Sequence, residues 1–136
     1  KMMYLTITRP DITYAVNRLC QFTSAPKKSH LQAAFKVLHY LKGTICLGLF
    51  YSVESDLSLK GFTDADWNSC TDSRRSTSGF CMFLGPSLIS WKSKKQQTVS
   101  HFSAESEYRA MEFASREIAW LVKLLKEFQV HQSQPV

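Results

Sequence analysis

The sequence predicts an α+β fold, in which helices and antiparallel strands occupy separate parts of the chain. Apolar residues recur at helical spacing within the first 44 residues, and a longer helical pattern runs from Ser103 to Phe128. Between these regions the pattern changes to short alternating segments bounded by turn residues. With 136 residues, of which 44% are hydrophobic, the chain is long enough to bury a core of ordinary domain size.

The first 44 residues predict two helices. Arg9-Pro10-Asp11 is a start signal, because the fixed φ of proline and an acidic side chain both suit a first turn. Apolar side chains then follow at helical spacing, namely Ile12, Ala15, Val16 and Leu19. Thr23–Pro26 ends this helix, since proline and its predecessor disfavour helical backbone. The second helix is predicted from Lys28 or Ser29 to Gly43, which can cap its end.

The remainder of the chain predicts strands followed by one long helix. The strands are expected at Cys46–Tyr51, Leu57–Thr63, Thr77–Leu84 and Leu88–Lys92. Gly85-Pro86-Ser87 suits the turn of a hairpin between the last two strands. The predicted organisation is a helical segment over 1–44, a connecting strand and turn over 45–56, a second domain over 57–128 and a frayed tail over 129–136.

The charge balance favours a polyanionic partner. Lys and Arg number 17 against 11 Asp and Glu, which gives a net charge of +6, and residues 1–44 alone hold seven basic groups and one acidic group. A solvated helical face is the alternative explanation of these charges. No apolar run is long enough to span a membrane, and no signal peptide is recognisable. Four cysteines without a C-x-x-C pair indicate a reduced, intracellular protein whose compartment (cytoplasmic, nuclear or mitochondrial) stays open.

Asp64 is a candidate metal ligand because it lies at the end of an apolar strand. Carboxylates exposed at such a place are well suited to a hard cation such as magnesium. A calcium-binding loop starting at Asp64 is excluded, since its sixth position is Ser69 instead of glycine and its twelfth is Arg75 instead of glutamate. The pair Asp64 and Asp66 is also compatible with an ordinary turn-capping role.

Glu107 is the second candidate because of its direction on the long helix. At about 100° per residue it points the same way as a predicted buried stripe, formed by Met111, Ala114, Ile118, Leu121, Val122 and Leu125. Glu105 and Glu112 point about 140–160° away and are expected to face water. A buried carboxylate is costly unless it is paired, hydrogen-bonded or metal-bound. A capping or ion-pairing glutamate is the alternative.

Six stretches spread over nearly the whole chain carry a resemblance to a known family. They are Tyr4–Asn17, Val37–Thr44, Phe62–Asn68, Arg74–Phe83, Ile89–Lys95 and Ser103–Met111. In this order they resemble the Pol polyprotein of copia-type LTR retrotransposons, especially those of plants. The resemblance implies that residues 4–44 are the end of a reverse transcriptase and that residues 57–128 are the first half of a ribonuclease H-like domain.

The resemblance also implies a site. Asp64 and Glu107 would be catalytic carboxylates that bind Mg²⁺ in the complete enzyme, which hydrolyses the RNA strand of RNA–DNA hybrids with two metal ions. The implied partners are nucleic acid (a hybrid or a template–primer) and the rest of the Pol polyprotein. Candidate phosphate-binding residues are Arg74, Arg75, Lys92, Lys94, Lys95, Lys27 and Lys28.

The sequence departs from the family after Phe128. The family continues with a strand bearing a third carboxylate and then a later aspartate, whereas residues 129–136 contain no acidic group. We therefore expect an incomplete ribonuclease H-like domain without independent catalysis, and whether it binds Mg²⁺ alone is left open. Two alternatives are a non-catalytic basic nucleic-acid-binding module and part of an active enzyme whose chain continues downstream.

Overall fold

The computed structural model describes residues 1–53, 56–132 and 136. The chain divides into two compact units, Lys1–Leu49 and Phe50–Val136. The described residues form helices and one three-stranded antiparallel sheet, which confirms the predicted α+β class. None of the described helices is long and apolar enough to cross a bilayer.

The first unit contains the two predicted helices. A 3₁₀ turn over Pro10–Ile12 leads into α2 (Thr13–Cys20), and α3 covers Lys28–Gly43. A short helix, α1 (Met2–Leu5), precedes them and was not predicted. The start signal at proline is confirmed, since the chain enters its helical region at that residue.

Arg9 connects the two ends of the first unit. Its guanidinium donates to both carboxylate oxygens of Asp11 at 3.0 and 2.7 Å, and to the carbonyl and hydroxyl oxygens of Thr44 at 2.8 and 2.7 Å. Arg9 is only 7% exposed. One of the seven basic side chains in this region is therefore engaged inside the unit and is not available to a polyanion.

The Arg9–Asp11 ion pair predicts an acid-sensitive first unit. The hydrogen bond from Arg9 holds the pKa of Asp11 below its ordinary value of 3.8. Because the folded-state pKa is the lower one, the pair stabilises the unit above the unfolded pKa, and this contribution is lost as pH falls through the folded pKa. We expect Asp11→Asn to flatten the decline in melting temperature below about pH 5. Thermal melts followed by circular dichroism test this, and equal slopes for both proteins would contradict it.

The second unit is a sheet covered on one side by a helix. Strands β1 (Leu59–Asp66), β2 (Thr77–Leu84) and β3 (Ser87–Lys95) pair in that order, and α4 (Ser103–Glu127) packs against β1 and β2. The β2 bounds equal the predicted ones, and β3 extends the predicted strand at both ends. The buried cluster consists of Leu59, Phe80, Met82, Ala114, Leu121 and Leu125.

Alternation along β1 decides which side chains face α4. A Cβ atom on Gly61 would lie 3.0 Å from Met82 Sδ and 3.1 Å from Ile118 Cδ1, so this residue faces the helix, and a side chain there would require these two neighbours to shift. Phe62 instead contacts Phe83 edge-to-face on the opposite side of the sheet. With a period of two, Asp64 and Asp66 share that opposite side, which we call the helix-free face.

The strand predicted over Cys46–Tyr51 is wrong. The described residues 45–53 contain no strand, and Phe50 is 82% exposed while Val53 is fully exposed. An apolar run forms a strand only when another strand accepts its backbone hydrogen bonds, and the described sheet consists of β1–β3 alone. The turn predicted within 45–56 lies partly on residues 54 and 55, outside the described residues.

The predicted fraying of the tail over 129–136 is wrong for its first residues. Val130 packs against the core cluster, and its N–H donates to the Leu125 carbonyl at 2.9 Å. Gln132 accepts from the Leu59 N–H at 2.8 Å and donates to the Leu57 carbonyl at 2.9 Å. These hydrogen bonds fasten the tail to the start of β1. Residues 133–135 lie outside the described residues.

Candidate metal and nucleic-acid site

Asp64 and Asp66 lie at the end of β1, as the sequence predicts for a strand-end site. In the antiparallel register Asp64 is opposite Gly79 and Asp66 is opposite Thr77. Both aspartates are exposed on the helix-free face. Within the described residues the Asp64 carboxylate has no hydrogen bond or ion pair, so its oxygens are available to an external cation.

Trp67 connects the end of β1 to the segment that leads into α4. Its indole N–H donates to the carbonyl of Ser100 at 3.1 Å, three residues before the helix begins. This hydrogen bond joins the strand that carries Asp64 to the start of the helix that carries Glu107. The Trp67 ring itself is 49% exposed.

Gln96 is a structural residue that the sequence analysis did not identify. Its Nε2 donates to Ser78 Oγ and to the Ser106 carbonyl, both at 2.9 Å, and its Oε1 accepts from Ser100 Oγ at 3.0 Å. The three serines belong to β2, to α4 and to the segment before α4, and each is at most 4% exposed. Gln96 therefore fixes the first turn of α4 to the sheet, and no local sequence pattern signals that role.

The expected burial of Glu107 is wrong. Glu107 is exposed and Met111 is 45% exposed, whereas Ser106 is fully buried. Glu107 and Leu125 are separated by about five full turns and share one direction, yet only Leu125 is covered. Burial of a side chain on α4 thus depends on its position along the helix as well as on its direction around the helix axis. The role of Glu107 stays a prediction that rests on the family resemblance and no longer on burial.

Glu105 has a structural role instead of a water-facing one. It accepts from the His101 N–H at 2.8 Å and from Arg109 Nη2 at 2.8 Å. The hydrogen bond from His101, followed by that from Arg109, lowers the pKa of this carboxyl. Glu105 therefore caps the start of α4 and is not available as a metal ligand.

The donors at this end of the sheet suit magnesium in their chemistry. Mg²⁺ prefers oxygen ligands and is commonly held by one or two carboxylates together with water and substrate phosphates. Asp64 and Glu107 are exposed carboxylates of that kind. The described residues contain no group of three or more His, Cys, Asp or Glu side chains that could hold a metal ion. Each carboxylate could therefore supply one ligand, Asp64 from the helix-free face of β1 and Glu107 from α4, which covers the other side of the sheet.

The candidate basic residues of the second unit fall into two groups. Lys92 and Lys94 lie on the helix side of β3, where their Nζ atoms are 5.7 and 5.8 Å from the centroid of the Phe113 ring. Lys95 opposes Thr77, which places it on the helix-free face with Asp66. The exposed Arg74 and Arg75 lie in the loop that contains Cys70. There the Cys70 N–H donates to the Arg75 carbonyl, and the Arg74 N–H donates to the Cys70 carbonyl.

Cys70 is buried beside the second group, which consists of Lys95, Arg74 and Arg75. Its Sγ accepts a hydrogen bond from Lys95 Nζ at 3.4 Å. Hydrogen bonds from Ser73 are the main reason that the pKa of the Cys70 thiol is lowered to about 7. The hydrogen bond from Lys95 lowers this pKa by a smaller amount. All four cysteines are free thiols, as the sequence analysis expected.

Lys27 and Lys28 belong to the first unit. Lys27 is the N-cap residue of α3, and its backbone N–H donates to His30 Nδ1 at 3.1 Å. Lys28 is the first residue of that helix, and both lysines are exposed. The two side chains are therefore accessible to a polyanion.

No protein-family model and no solved structure matches the chain. Curated relatives do match. The uncharacterized mitochondrial protein AtMg00810 of Arabidopsis thaliana is 49% identical over 119 residues, which cover 88% of this chain and 50% of that protein. AtMg00240, also mitochondrial and uncharacterized, is 66% identical over 82 residues, or 60% of this chain and 74% of that protein.

A third relative carries a descriptive name. The retrovirus-related Pol polyprotein of transposon RE1 from Arabidopsis thaliana is 45% identical over 134 residues, which cover 98% of this chain and 9% of the polyprotein. The chain thus spans half of AtMg00810 and a small part of the RE1 polyprotein. With relatives of this kind matched along nearly its whole length, the chain belongs to the Pol polyproteins of copia-type retrotransposons, of which it represents a fragment.

Proposed function

We propose that this fragment binds RNA–DNA hybrids and supplies two carboxylates, Asp64 and Glu107, to a two-metal ribonuclease H centre. The observation that carries the proposal is the exposed Asp64 carboxylate at the end of β1, a strand that the Trp67–Ser100 hydrogen bond joins to the start of α4. Exposed carboxylates of this kind are open to metal ions.

The chemistry requires more than these two residues supply. Two magnesium ions, when bound, activate a water and stabilise the leaving oxygen of the scissile phosphate. Asp64 and Glu107 would each hold one position next to that phosphate. Because several anionic oxygens must converge on both ions, we infer that the 136 residues bind a hybrid without hydrolysing it.

Binding is supported by the exposed basic side chains. The chain carries a net charge of +6. The exposed Arg74 and Arg75 lie in the loop that follows β1. Lysine and arginine contacts to phosphates give an affinity that is independent of sequence and falls with salt. The buried Arg9 is excluded from this role, since it is paired with Asp11.

The experiment measures hybrid binding and cleavage with the same 136-residue protein. We expect the logarithm of the association constant to fall linearly with the logarithm of salt concentration, with a slope of about −3 or steeper. We expect no RNA cleavage in magnesium beyond the rate without protein. Manganese should broaden the NMR signals of β1 near Asp64 in the wild type and not in Asp64→Asn.

Three outcomes would overturn parts of the proposal. A salt slope near zero would exclude phosphate binding. Robust cleavage that is abolished by Asp64→Asn and by Glu107→Gln would overturn the non-catalytic inference. Manganese broadening that is the same in Asp64→Asn would remove Asp64 from the metal site. Glu127→Gln, which changes an exposed carboxylate at the other end of α4, is the matched control and should behave like the wild type.

A further inference from the structure

Two adjoining pockets lie along α4, and the second of them reaches the end of β3. The first has a volume of about 600 Å³ and is lined by residues that include Phe102, Tyr108 and Arg109. The second, of about 240 Å³, lies between the end of β3 and α4, and its lining includes Lys94 and Arg116. Arg109 and Glu112 line both pockets, so together they form one continuous surface, which we call the flank groove.

The flank groove carries a surplus of positive charge. Its positive charge comes from the side chains of Lys94, Arg109 and Arg116, against the carboxylates Glu105 and Glu112, whereas Lys95, which also lines the second pocket, directs its Nζ to Cys70. Arg109 is held in place by Glu105 and by the Thr98 hydroxyl, and the exposed Arg116 pairs with Glu112. Each guanidinium has five N–H donors, so both arginines retain donors for a further anion.

Two large aromatic side chains are open to solvent at the other end of the groove. Phe102 is 73% exposed and Tyr108 is 70% exposed, although both line the larger pocket. Aromatic faces next to a basic groove are what single-stranded nucleic acids require, because bases stack on the rings while phosphates contact the cations. A duplex, whose bases are already stacked, makes no use of these rings.

The flank groove is separate from the candidate metal site. Arg116 and Glu107 are nine residues apart on α4 and point about 180° away from each other. The groove lies along α4 and reaches the end of β3, whereas Asp64 is exposed on the helix-free face of β1. Binding in the groove therefore does not depend on metal or on the two carboxylates.

We propose that the flank groove binds single-stranded nucleic acid, with bases stacked on Tyr108 and Phe102 and phosphates held by Lys94, Arg109 and Arg116. This site goes beyond the hybrid-binding function and does not rest on it. Stacking does not distinguish ribose from deoxyribose, so the proposal includes both DNA and RNA single strands.

The test is fluorescence anisotropy with labelled oligo(dT) and oligo(U) of ten nucleotides, in EDTA. We expect Tyr108→Ala to weaken binding about tenfold, because one stacked base is lost, while Tyr108→Phe keeps the ring and the affinity. We expect Arg116→Gln to reduce the steepness of the salt dependence by about 0.7, the value for one single-strand phosphate contact.

Phe128→Ala is the matched control, because Phe128 is 71% exposed, follows the end of α4 and lies outside the residues that line both pockets. Equal losses in Tyr108→Ala and Phe128→Ala would overturn the proposal, and so would an absence of single-strand binding. The double variant Asp64→Asn, Glu107→Gln should still bind the oligonucleotides. Oligonucleotide binding is therefore expected even if Asp64 and Glu107 bind no metal. Loss of oligonucleotide binding in the double variant would contradict the separation of the two sites.

Discussion

Met82→Ala is expected to lower the free energy of unfolding of the second unit by about 2–5 kcal/mol, as large-to-small changes at fully buried positions do. Met82 is 0% exposed and belongs to the cluster between the sheet and α4. Its Sδ atom also fills the space left by the missing side chain of Gly61. Removing the thioether leaves a cavity where β1, β2 and α4 meet, and the packing cannot close it without moving the helix.

Urea unfolding followed by tryptophan fluorescence measures this loss. Met111→Ala is the control, because Met111 is 45% exposed on the same helix-and-sheet unit and its truncation should cost far less. If Met82→Ala does not fold, Met82→Leu keeps most of the volume and should cost less than about 1.5 kcal/mol. A loss below about 1 kcal/mol for Met82→Ala, or losses that are equal at both methionines, would contradict the central position of Met82 in the core.

The elements predicted correctly are those with local signals at both ends. Strand β2 begins after a polar stretch and ends at Gly85-Pro86, and its observed bounds, Thr77–Leu84, equal the predicted ones. The helix α4 has a periodic apolar pattern over many turns, and it ends within one residue of the predicted Phe128. Long periodic patterns and turn residues are local properties, so a single sequence reveals them.

The errors concern contacts between distant parts of the chain. Cys46–Tyr51 has the composition of a strand, but a strand also needs a neighbour, which composition does not specify. Gln132 fastens the tail through hydrogen bonds to the backbone of Leu57 and Leu59, more than 70 residues earlier in the chain. The direction of Glu107 on the helix was predicted correctly, yet its burial depends on what covers that end of α4.

The second large effect is expected at Gln96, where Gln96→Leu should destabilise the second unit by about 2–3 kcal/mol. The leucine removes the amide that satisfies the buried hydroxyls of Ser78 and Ser100, and it also removes the second hydrogen bond to the Ser106 carbonyl, which keeps its partner within α4. A buried polar group that loses its partner incurs its full desolvation cost, so two such groups together give an effect close to that of a small core cavity. Urea unfolding gives the magnitude, with the exposed Gln97→Leu as the control.

Gln96→Leu should also affect the candidate site, which a purely local loss of stability would not. Ser100 accepts the Trp67 hydrogen bond through its carbonyl and donates to Gln96 through its hydroxyl, so the two contacts meet in one residue. We expect faster hydrogen exchange of the Trp67 indole N–H in Gln96→Leu than in Gln97→Leu under native conditions. Unchanged exchange in a destabilised Gln96→Leu protein would show that the junction between β1 and α4 is held independently of Gln96. Accelerated exchange would instead mean that one amide side chain couples the strand of Asp64 to the helix of Glu107.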